Sequence, residues 1–461
     1  MTSKNYLFQL LLISILLSIT FLKANASPLG PSPLGPSPLG SSPLGSSPLD
    51  KVENQLVKYV DQNEPASRKL LEKVVNINSG SMNLAGNKLV GDVFIEEFNK
   101  LGFTTRWIDG KAFNRAGHFF AERIGNKNAP KILMIGHLDT VFSKDSKVQR
   151  YEVIDENTVK GPGIIDMKGG DVIILYALKA LKQAGVLDTI SVQVVMTGDE
   201  EKRGRPLELA AKALVDSAKW ADIALGFENG DSDPKTAVVA RRGYTGWELT
   251  VEGKPAHSSQ VFREDIGYGA IYEAARILEG FRAKLEGQPN LTFNPGLIIG
   301  GTDAELDTAS ATAKGYGKQN VIARTTRVSG DLRALSPRQQ KEAQEVMQQI
   351  VAQHLPHTKA TLKFAAGYPP MEPSKGNNRL LKIYDQASQD LGFGKVTAVD
   401  PRRAGAADIS FSAAHVDMAI DGIGLMGHGS HTDDETADMS TMHSQTKRAA
   451  VLLYRLGKGE R

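Results

Sequence analysis

The chain has 461 residues, of which 41% are hydrophobic and 23% are charged, and its formal net charge is +3. These values are ordinary for a soluble protein of two or three domains, and the charge is too small to favour nucleic acid or an anionic membrane as a partner. The absence of cysteine excludes disulfide bonds, a thiol nucleophile and a thiolate metal site, so any metal must be held by histidine and carboxylate.

The first 26 residues are predicted to be a secretory signal peptide. Lys4 supplies a short positive region, an apolar stretch covers residues 6–22, and Ala24-Asn25-Ala26 provides a small-x-small cleavage site. An uncleaved membrane anchor is the alternative, but the stretch is short for a span and Gln9 interrupts it. We therefore expect an exported protein, periplasmic or secreted, with no membrane span after cleavage.

Residues 27–49 repeat a five-residue unit, Ser-Pro-Leu-Gly followed by proline or serine. Frequent proline removes backbone donors and glycine prevents a stiff rod, so the segment is predicted to be a linker. A proline motif that binds a partner is the alternative.

From residue 50 onward, amphipathic and apolar runs alternate along the chain. The amphipathic runs that predict helices are residues 54–75, 89–101 and 167–184. The apolar runs that predict buried strands are residues 131–136, 190–197 and 223–227. This alternation is typical of an α/β domain with a mostly parallel central sheet.

The pattern changes between residues 244 and 369. Residues 247–251 and 324–335 alternate in polarity like strands, and residues 267–285 and 337–354 have helical periodicity. The order strand, helix, strand, strand, helix, strand predicts an inserted α+β unit of the ferredoxin-like kind. The domains predicted from these patterns are a discontinuous main domain, residues 50–243 and 370–461, and an inserted domain, residues 244–369.

Five short segments concentrate histidine, acidic residues and glycine, and each follows a predicted strand or lies in a tight loop. Such positions are where α/β sheets place their functional sites. Each segment alone has an ordinary explanation, such as a structural histidine, an acidic turn or a surface loop. The glycine-rich string at 161–170 lacks the spacing of a phosphate-binding loop. The candidate residues of the five segments are His137 with Asp139, Asp166, Glu200 with Glu201, Glu228, and His431.

Together, these residues provide two histidines and several carboxylates, a set that suits zinc, cobalt or manganese. One bridging acid, with a histidine and a further acid on each metal, would complete two matched sites. Two metals so placed lower the pKa of a shared water and polarise a carbonyl. A spare carboxylate would then take the proton, and the adjacent Glu200 and Glu201 offer one residue for catalysis and one for metal.

The order of these motifs resembles the glutamate carboxypeptidase and aminoacylase family of dizinc metallopeptidases. The motifs are His-x-Asp at 137–139, Gly-Pro-Gly-x-x-Asp-Met-Lys-Gly-Gly at 161–170, Asp-Glu-Glu at 199–201, and a late Gly-x-His. The resemblance covers about residues 53–456 and implies a zinc-exopeptidase-like catalytic domain with an inserted lid and dimerisation domain.

The resemblance also implies a role for each residue of the metal site. Asp166 would bridge two metals, His137 and Glu228 would hold one of them, and Glu201 and His431 would hold the other. The remaining two candidates would be Glu200 as the general base and Asp139 as the partner of the His137 ring.

In the inserted domain, Pro255-Ala256-His257-Ser258 is similar to a lid motif whose histidine reaches into the partner subunit's site. Asn320 and Arg333 match lid positions that contact substrate, and Arg402 resembles an arginine that grips a carboxylate. The family has Gly-Gly-Thr-Asp near this arginine, whereas residues 404–408 here read Ala-Gly-Ala-Ala-Asp. This departure concerns the substrate pocket rather than the metal site.

The implied activity is hydrolysis of an amide bond beside a free carboxylate, with release of a C-terminal amino acid through a metal-bridging water activated by Glu200. The implied substrate is a small peptide or an N-acyl amino acid, and the implied assembly is a homodimer. An aminoacylase and a di- or tripeptidase are alternatives within the family, and an inactive carboxylate-binding relative is the non-enzymatic one. The chain lacks the Gly-x-Ser-x-Gly motif of serine hydrolases and the His-Glu-x-x-His motif of single-zinc proteases.

Overall fold

The structure is a computed structural model that describes residues 49–307 and 311–460. The predicted signal peptide and residues 27–48 of the repeat lie outside the described residues, so both stay predictions. None of the helices within these ranges is long and apolar enough to cross a membrane.

The helices begin where side chains can cap them. The Asp50 carboxylate accepts a hydrogen bond from the Glu53 amide, and Glu53 accepts one from the Asp50 amide, so the first helix begins at residue 51. The α-helices of the described residues are α1 (Lys51–Val75), α2 (Leu84–Leu101), α3 (Gly169–Gln183), α4 (Leu207–Ala210), α5 (Lys212–Trp220), α6 (Gly269–Leu285), α7 (Pro337–Val351), α8 (Lys375–Asp390) and α9 (Met439–Gly457).

The strands are numbered in chain order through both parts of the described chain. They are β1 (Thr104–Asp109), β2 (Gly117–Arg123), β3 (Lys131–His137), β4 (Glu152–Val153), β5 (Thr158–Lys160), β6 (Ser191–Thr197), β7 (Ile223–Gly226), β8 (Thr236–Ala237), β9 (Thr245–Gly253), β10 (Thr292–Gly301), β11 (Asp303–Asp307), β12 (Thr312–Tyr316), β13 (Thr325–Arg333), β14 (Thr358–Ala365), β15 (Thr397–Ala398), β16 (Met418–Ile420), β17 (Gly427–His428) and β18 (Thr436–Asp438).

The central sheet has the strand order β1-β2-β6-β3-β7-β16. Strands β6, β3, β7 and β16 are parallel, whereas β1 and β2 pair antiparallel at one edge. Ile132 and Met134 of β3 pack into the core that includes α1, α3 and α9, and Leu133 and Ile135 pack on the other face, with α5. Helices therefore cover both faces of the sheet, which explains the continuous apolar run in β3 and confirms the predicted α/β architecture.

A second, antiparallel sheet has the strand order β10-β13-β9-β14. Trp247, Leu249 and Val251 of β9 are buried in a core shared with α6 and α7, whereas the residues between them are more exposed. This sheet with its two helices confirms the predicted second α+β unit. The hairpin β11–β12 was not predicted, and the residue limits of the two domains stay a prediction.

Candidate metal centre

The carboxyl ends of three parallel strands meet at one edge of the central sheet. His137 is the last residue of β3, Glu200 and Glu201 follow β6, and Glu228 follows β7. Because β3 lies between β6 and β7 and runs parallel to both, these side chains converge at the same edge. Local sequence thus determines which residues end each strand, and strand order brings them together.

Asp166, from the loop before α3, lies between two pairs of residues, each made of a histidine and a glutamate. Its Oδ1 is 3.0 Å from His137 Nε2, and Glu228 Oε1 is 3.4 Å from the same nitrogen. Its Oδ2 is 3.0 Å from His431 Nε2, and Glu201 Oε2 is 3.2 Å from that nitrogen. One carboxylate therefore faces both pairs, which is the placement expected of the predicted bridging ligand.

The chemistry of this cluster fits divalent cations. Among the described residues, Glu201 Oε1 is buried and has no hydrogen-bond partner. Ligand atoms of His137, Asp166 and Glu201 lie within 4.8 Å of one another. Carboxylates crowded together and removed from water repel one another unless cations compensate. Their nitrogen and oxygen atoms are the donors that zinc, cobalt and manganese accept.

The ionisation of the cluster shows how strongly it attracts positive charge. Burial opposes protonation of His137, but Glu228 and Asp166 outweigh it and hold the pKa of the ring well above its ordinary value. Hydrogen bonds to Asp166 and Glu201 raise the pKa of His431 to about 11. A metal ion held by either histidine would compete with protons for the ring nitrogen, so we expect metal binding to weaken in acid.

Asp139 supports the site through both its main chain and its carboxylate. Nδ1 of His137 lies 2.9 Å from the main-chain oxygen of Asp139, whereas the carboxylate is 3.6 Å from that nitrogen. The main chain, rather than the expected carboxylate, therefore holds the ring. The carboxylate instead accepts hydrogen bonds from the Ser81 hydroxyl at 2.6 Å and from the amides of Glu200 and Glu201 at 2.9 and 3.1 Å.

Glu435 and Ser430 also support Asp166, and neither was predicted. The buried Glu435 carboxyl accepts hydrogen bonds from three main-chain amides of the Asp166 loop, at 2.9–3.3 Å, and burial raises its pKa to about 8. Ser430 Oγ donates to Asp166 Oδ2 at 2.7 Å. The acidic run at 433–435 was visible in the sequence, but nothing in it distinguishes the buried acid from the exposed ones.

His257 and Asn320 lie next to each other in the second α+β unit. The Ser258 amide donates to the main-chain oxygen of Asn320 at 2.9 Å, and both predicted residues are exposed. Nδ1 of His257 is 2.8 Å from Ser259 Oγ. Within the described part of the chain, the hydrogen bonds of these two segments do not reach the metal-ligand cluster, so their roles stay predictions.

Arg333 and Arg402 are found beside a third arginine, Arg242, that was not predicted. Arg242 Nη1 donates to Thr292 Oγ1 at 2.9 Å, and Nη2 lies 3.4 Å from the main-chain oxygen of Arg402. Burial and the neighbouring charges of Arg333 and Arg402 lower the pKa of Arg242. Because the charges of Arg333 and Arg402 act on Arg242, an anion bound near these three residues would be stabilised.

The α/β sheet with a shared carboxylate between two histidine–glutamate pairs is the architecture expected of a two-metal hydrolase. Residues 133–455 match the model of peptidase family M20/M25/M40. The chain therefore belongs to this family and is a metallopeptidase, a hydrolase that acts on peptide bonds. The predicted resemblance to dizinc metallopeptidases is confirmed at the level of the family.

Several known proteins are similar to the chain. Carboxypeptidase G2 from Pseudomonas sp. (strain RS-16) is 27% identical over 416 residues, which cover 89% of this chain and 94% of that protein. The structure of aminopeptidase PepT from Bacillus cereus matches with a TM-score of 0.67 and 17% identity, over 86% of this chain and 99% of that one. The YXEP protein of Bacillus subtilis, a dinuclear metal-binding peptidase from the M20 family, has a TM-score of 0.59 at 14% identity, over 86% and 99%. The two solved structures share the fold of this chain, and the three proteins are named as different kinds of peptidase.

Proposed function

We propose that this metallopeptidase is a carboxypeptidase-type enzyme that hydrolyses the amide bond beside a free carboxylate and releases a C-terminal amino acid. The observation that carries the proposal is Asp166, whose two oxygens face two separate histidine–glutamate pairs. Similarity to carboxypeptidase G2 over most of the chain supports the same class of reaction.

Two divalent metal ions fit this site. His137 and Glu228 would hold one ion, His431 and Glu201 the other, and Asp166 both. We propose Zn²⁺, with Co²⁺ or Mn²⁺ as alternatives, because imidazole and carboxylate suit all three. When bound, such ions polarise a carbonyl group and lower the pKa of water.

Glu200 is the proposed general base. Removal from water raises the pKa of its carboxyl well above the ordinary value; the charge of His137 opposes this shift, while Glu228 and Glu201 add to it. A raised pKa makes the Glu200 carboxylate a stronger base towards water. Glu200 would take a proton from the attacking water at its carboxylate and deliver it to the nitrogen of the leaving amine.

Arg242, Arg333 and Arg402 are proposed to bind the free carboxylate of the substrate. Each guanidinium can donate two parallel hydrogen bonds to a planar carboxylate, which fixes both position and orientation. Arg333 is itself held by Asp331, with Nε 2.8 Å from a carboxylate oxygen. Asn320 and His257 are proposed to contact the substrate from the second α+β unit.

A comparison of acids with their amides tests the carboxylate clamp. The metal-loaded mature protein is given dipeptides, tripeptides and N-acyl amino acids, each as the free acid and as the C-terminal amide. We expect kcat/KM to fall roughly 10- to 100-fold for the amides, because a charged hydrogen bond contributes about 1.5–3 kcal/mol. The set of substrates also separates a carboxypeptidase from an aminoacylase or a di- or tripeptidase.

Arginine variants supply the control for this comparison. Arg333→Ala and Arg402→Ala should shrink the preference for acid over amide. Arg403→Ala should keep it, since Arg403 is exposed and pairs with Asp231 at 3.2 Å. Equal kcat/KM values for acid and amide in the unaltered enzyme would refute the clamp.

A homodimer formed through the second α+β unit, and export from the cytoplasm, are also proposed. Phe262 and Tyr272 are each more than half exposed, and their ring centroids are 5.3 Å apart. Ile271, the neighbour of Tyr272 on α6, is exposed as well. Adjacent exposed apolar side chains are typical of an interaction surface, and they support an interface at this position.

A further inference from the structure

The main chain of Glu200 is held by hydrogen bonds on both sides. Its amide donates to Asp139 Oδ1 at 2.9 Å, and its carbonyl oxygen accepts a hydrogen bond from the Tyr368 hydroxyl at 2.8 Å. Asp139 comes from the loop after β3, and Tyr368 lies three residues beyond the end of β14. Two segments that are distant in sequence thus fix the peptide units on either side of the base.

Arg203 determines the direction of the Tyr368 hydrogen bond. Nε and Nη2 of Arg203 lie 3.2 and 2.9 Å from the Tyr368 oxygen. A guanidinium can only donate hydrogen bonds, so the tyrosine oxygen accepts from Arg203 and keeps its own hydrogen for the Glu200 carbonyl. Burial also raises the pKa of Tyr368 well above its ordinary value, so the hydroxyl stays protonated.

Arg203 is itself held by buried partners. It forms ion pairs with Asp199, at 2.5 Å, and with Asp408, and the side chains of all three are at most 5% exposed. Asp408 Oδ2 accepts a hydrogen bond from the Thr197 hydroxyl at 2.5 Å. A buried network with this many satisfied partners has little freedom to move, so it can hold the Tyr368 hydroxyl in one place.

Tyr368 also belongs to the segment by which the chain leaves the second sheet. Its main-chain oxygen accepts from the amide of Tyr244, which immediately precedes β9, at 2.9 Å. Arg205, from the loop that carries Glu200, donates to the main-chain oxygen of Ala366 at 2.8 Å. The segment that connects to the second sheet is therefore hydrogen-bonded directly to the loop that carries Glu200.

We propose that Tyr368, oriented by Arg203, is a positioning residue for Glu200 and links the placement of the base to the connection with the second α+β unit. This role rests on the proposed function of Glu200 as the base. Tyr368 acts through the Glu200 main chain, so its loss affects the step in which Glu200 moves a proton and leaves substrate binding intact.

Tyr368→Phe removes only the hydroxyl and is the direct test. We expect kcat to fall roughly three- to tenfold, the effect of one neutral hydrogen bond, with little change in KM or in metal content. Tyr384→Phe is the matched control, because the buried Tyr384 hydroxyl bonds to Gln445 Oε1 at 2.9 Å in the helical core. Tyr384→Phe should lower the free energy of unfolding about as much as Tyr368→Phe does, and it should keep its kcat.

A double-mutant cycle with Glu200→Gln distinguishes positioning from general damage. If Tyr368 acts through the base, Tyr368→Phe should not lower the small residual rate of Glu200→Gln any further. Equal losses in both backgrounds, or an unchanged kcat in the single variant, would overturn the positioning role alone. An unaltered enzyme that hydrolyses none of the substrates would overturn the proposed function and this role together.

Discussion

Glu200 and Glu201 are neighbours in sequence with different proposed roles, and substitution separates them. Glu200→Gln keeps the size of the side chain but cannot take a proton from water. We expect kcat to fall by roughly 10²–10⁴, the usual contribution of a positioned base, while two metals per chain remain bound. Turnover and elemental analysis on the same preparation provide the measurement.

Glu201→Gln is the matched control, since Glu201 lies beside His431 and has a buried oxygen with no hydrogen-bond partner among the described residues. This variant should lose metal as well as activity. If Glu200→Gln loses a metal and Glu201→Gln keeps both, the two roles are reversed.

At the scale of residues, the sequence predicted the candidate metal ligands that the structure brings together, but not the residues that support them. His137, Asp166 and Glu201 stand in short motifs where a histidine or acid is surrounded by glycine or by other acids. Ser81 and Tyr368 are common residue types in ordinary surroundings, and their importance comes only from contacts with distant segments. Local patterns contain no information on such contacts, so these residues could not be found before the structure.

The loop at 161–168 positions Asp166 in the site, and Gly163 allows the backbone conformation of this loop. Gly163 has a φ of 67°, and a Cβ there would lie 2.2 Å from Thr140 Cγ2. Gly163→Ala should therefore combine backbone strain of about 1 kcal/mol with displacement of the loop that carries Asp166. We expect metal affinity to fall at least about tenfold, on the scale of other supporting contacts to metal ligands.

Gly185 provides the control for this element. Its φ is 71°, and no atom of the described part of the chain lies within 4 Å of a Cβ placed there. Backbone strain should therefore lower the melting temperature of Gly185→Ala, whereas its metal affinity should stay unchanged. Equal metal affinities for the two variants would contradict the role given to the loop.

Among the elements, only some of the long ones were assigned from sequence: α8, α9, β10 and β14 were given no residue range, and neither were the shortest strands. The buried strands β3, β6 and β7 are apolar runs, and α1, α2 and α3 have helical periodicity, so both kinds are visible in sequence. Strands β4, β5, β17 and β18 have two or three residues each and form a separate small sheet. Segments that short have no period to detect, and only their partners define them as strands.

At the scale of the whole molecule, the proposed dimer makes each site depend on two chains. If His257 serves the partner subunit's site, His257→Ala and Glu200→Gln should complement each other. A mixed dimer would combine one intact site with one doubly damaged site, so its activity should approach half that of the unaltered dimer. Co-expression with two different tags, and purification through both, isolates the mixed species.

The same experiment has a clear negative outcome. If His257 acts within its own chain, no site is repaired, and the mixed dimer shows only the mean of its parents. That result would exclude the trans-acting histidine.

The overall architecture was predicted from the order of elements, whereas the pairing of strands was not. Alternating helices and strands predicted the parallel sheet, and the functional residues were expected at its carboxyl edge. Strand β6 lies between β2 and β3 in the sheet, and this pairing of segments distant in sequence cannot be predicted from periodicity. This placement is what brings Glu200 and Glu201 next to His137.

A two-metal peptidase should lose and regain its activity together with its metal, so the decisive experiment measures metal content and activity on the same protein. The protein is dialysed against a chelator until elemental analysis finds no metal, and zinc, cobalt or manganese is then added back stepwise. We predict that hydrolysis disappears with the metal and returns fully at two equivalents per chain, one for each histidine–glutamate pair around Asp166. Full activity in protein verified to be free of metal would show that the chain is not a metal-dependent peptidase.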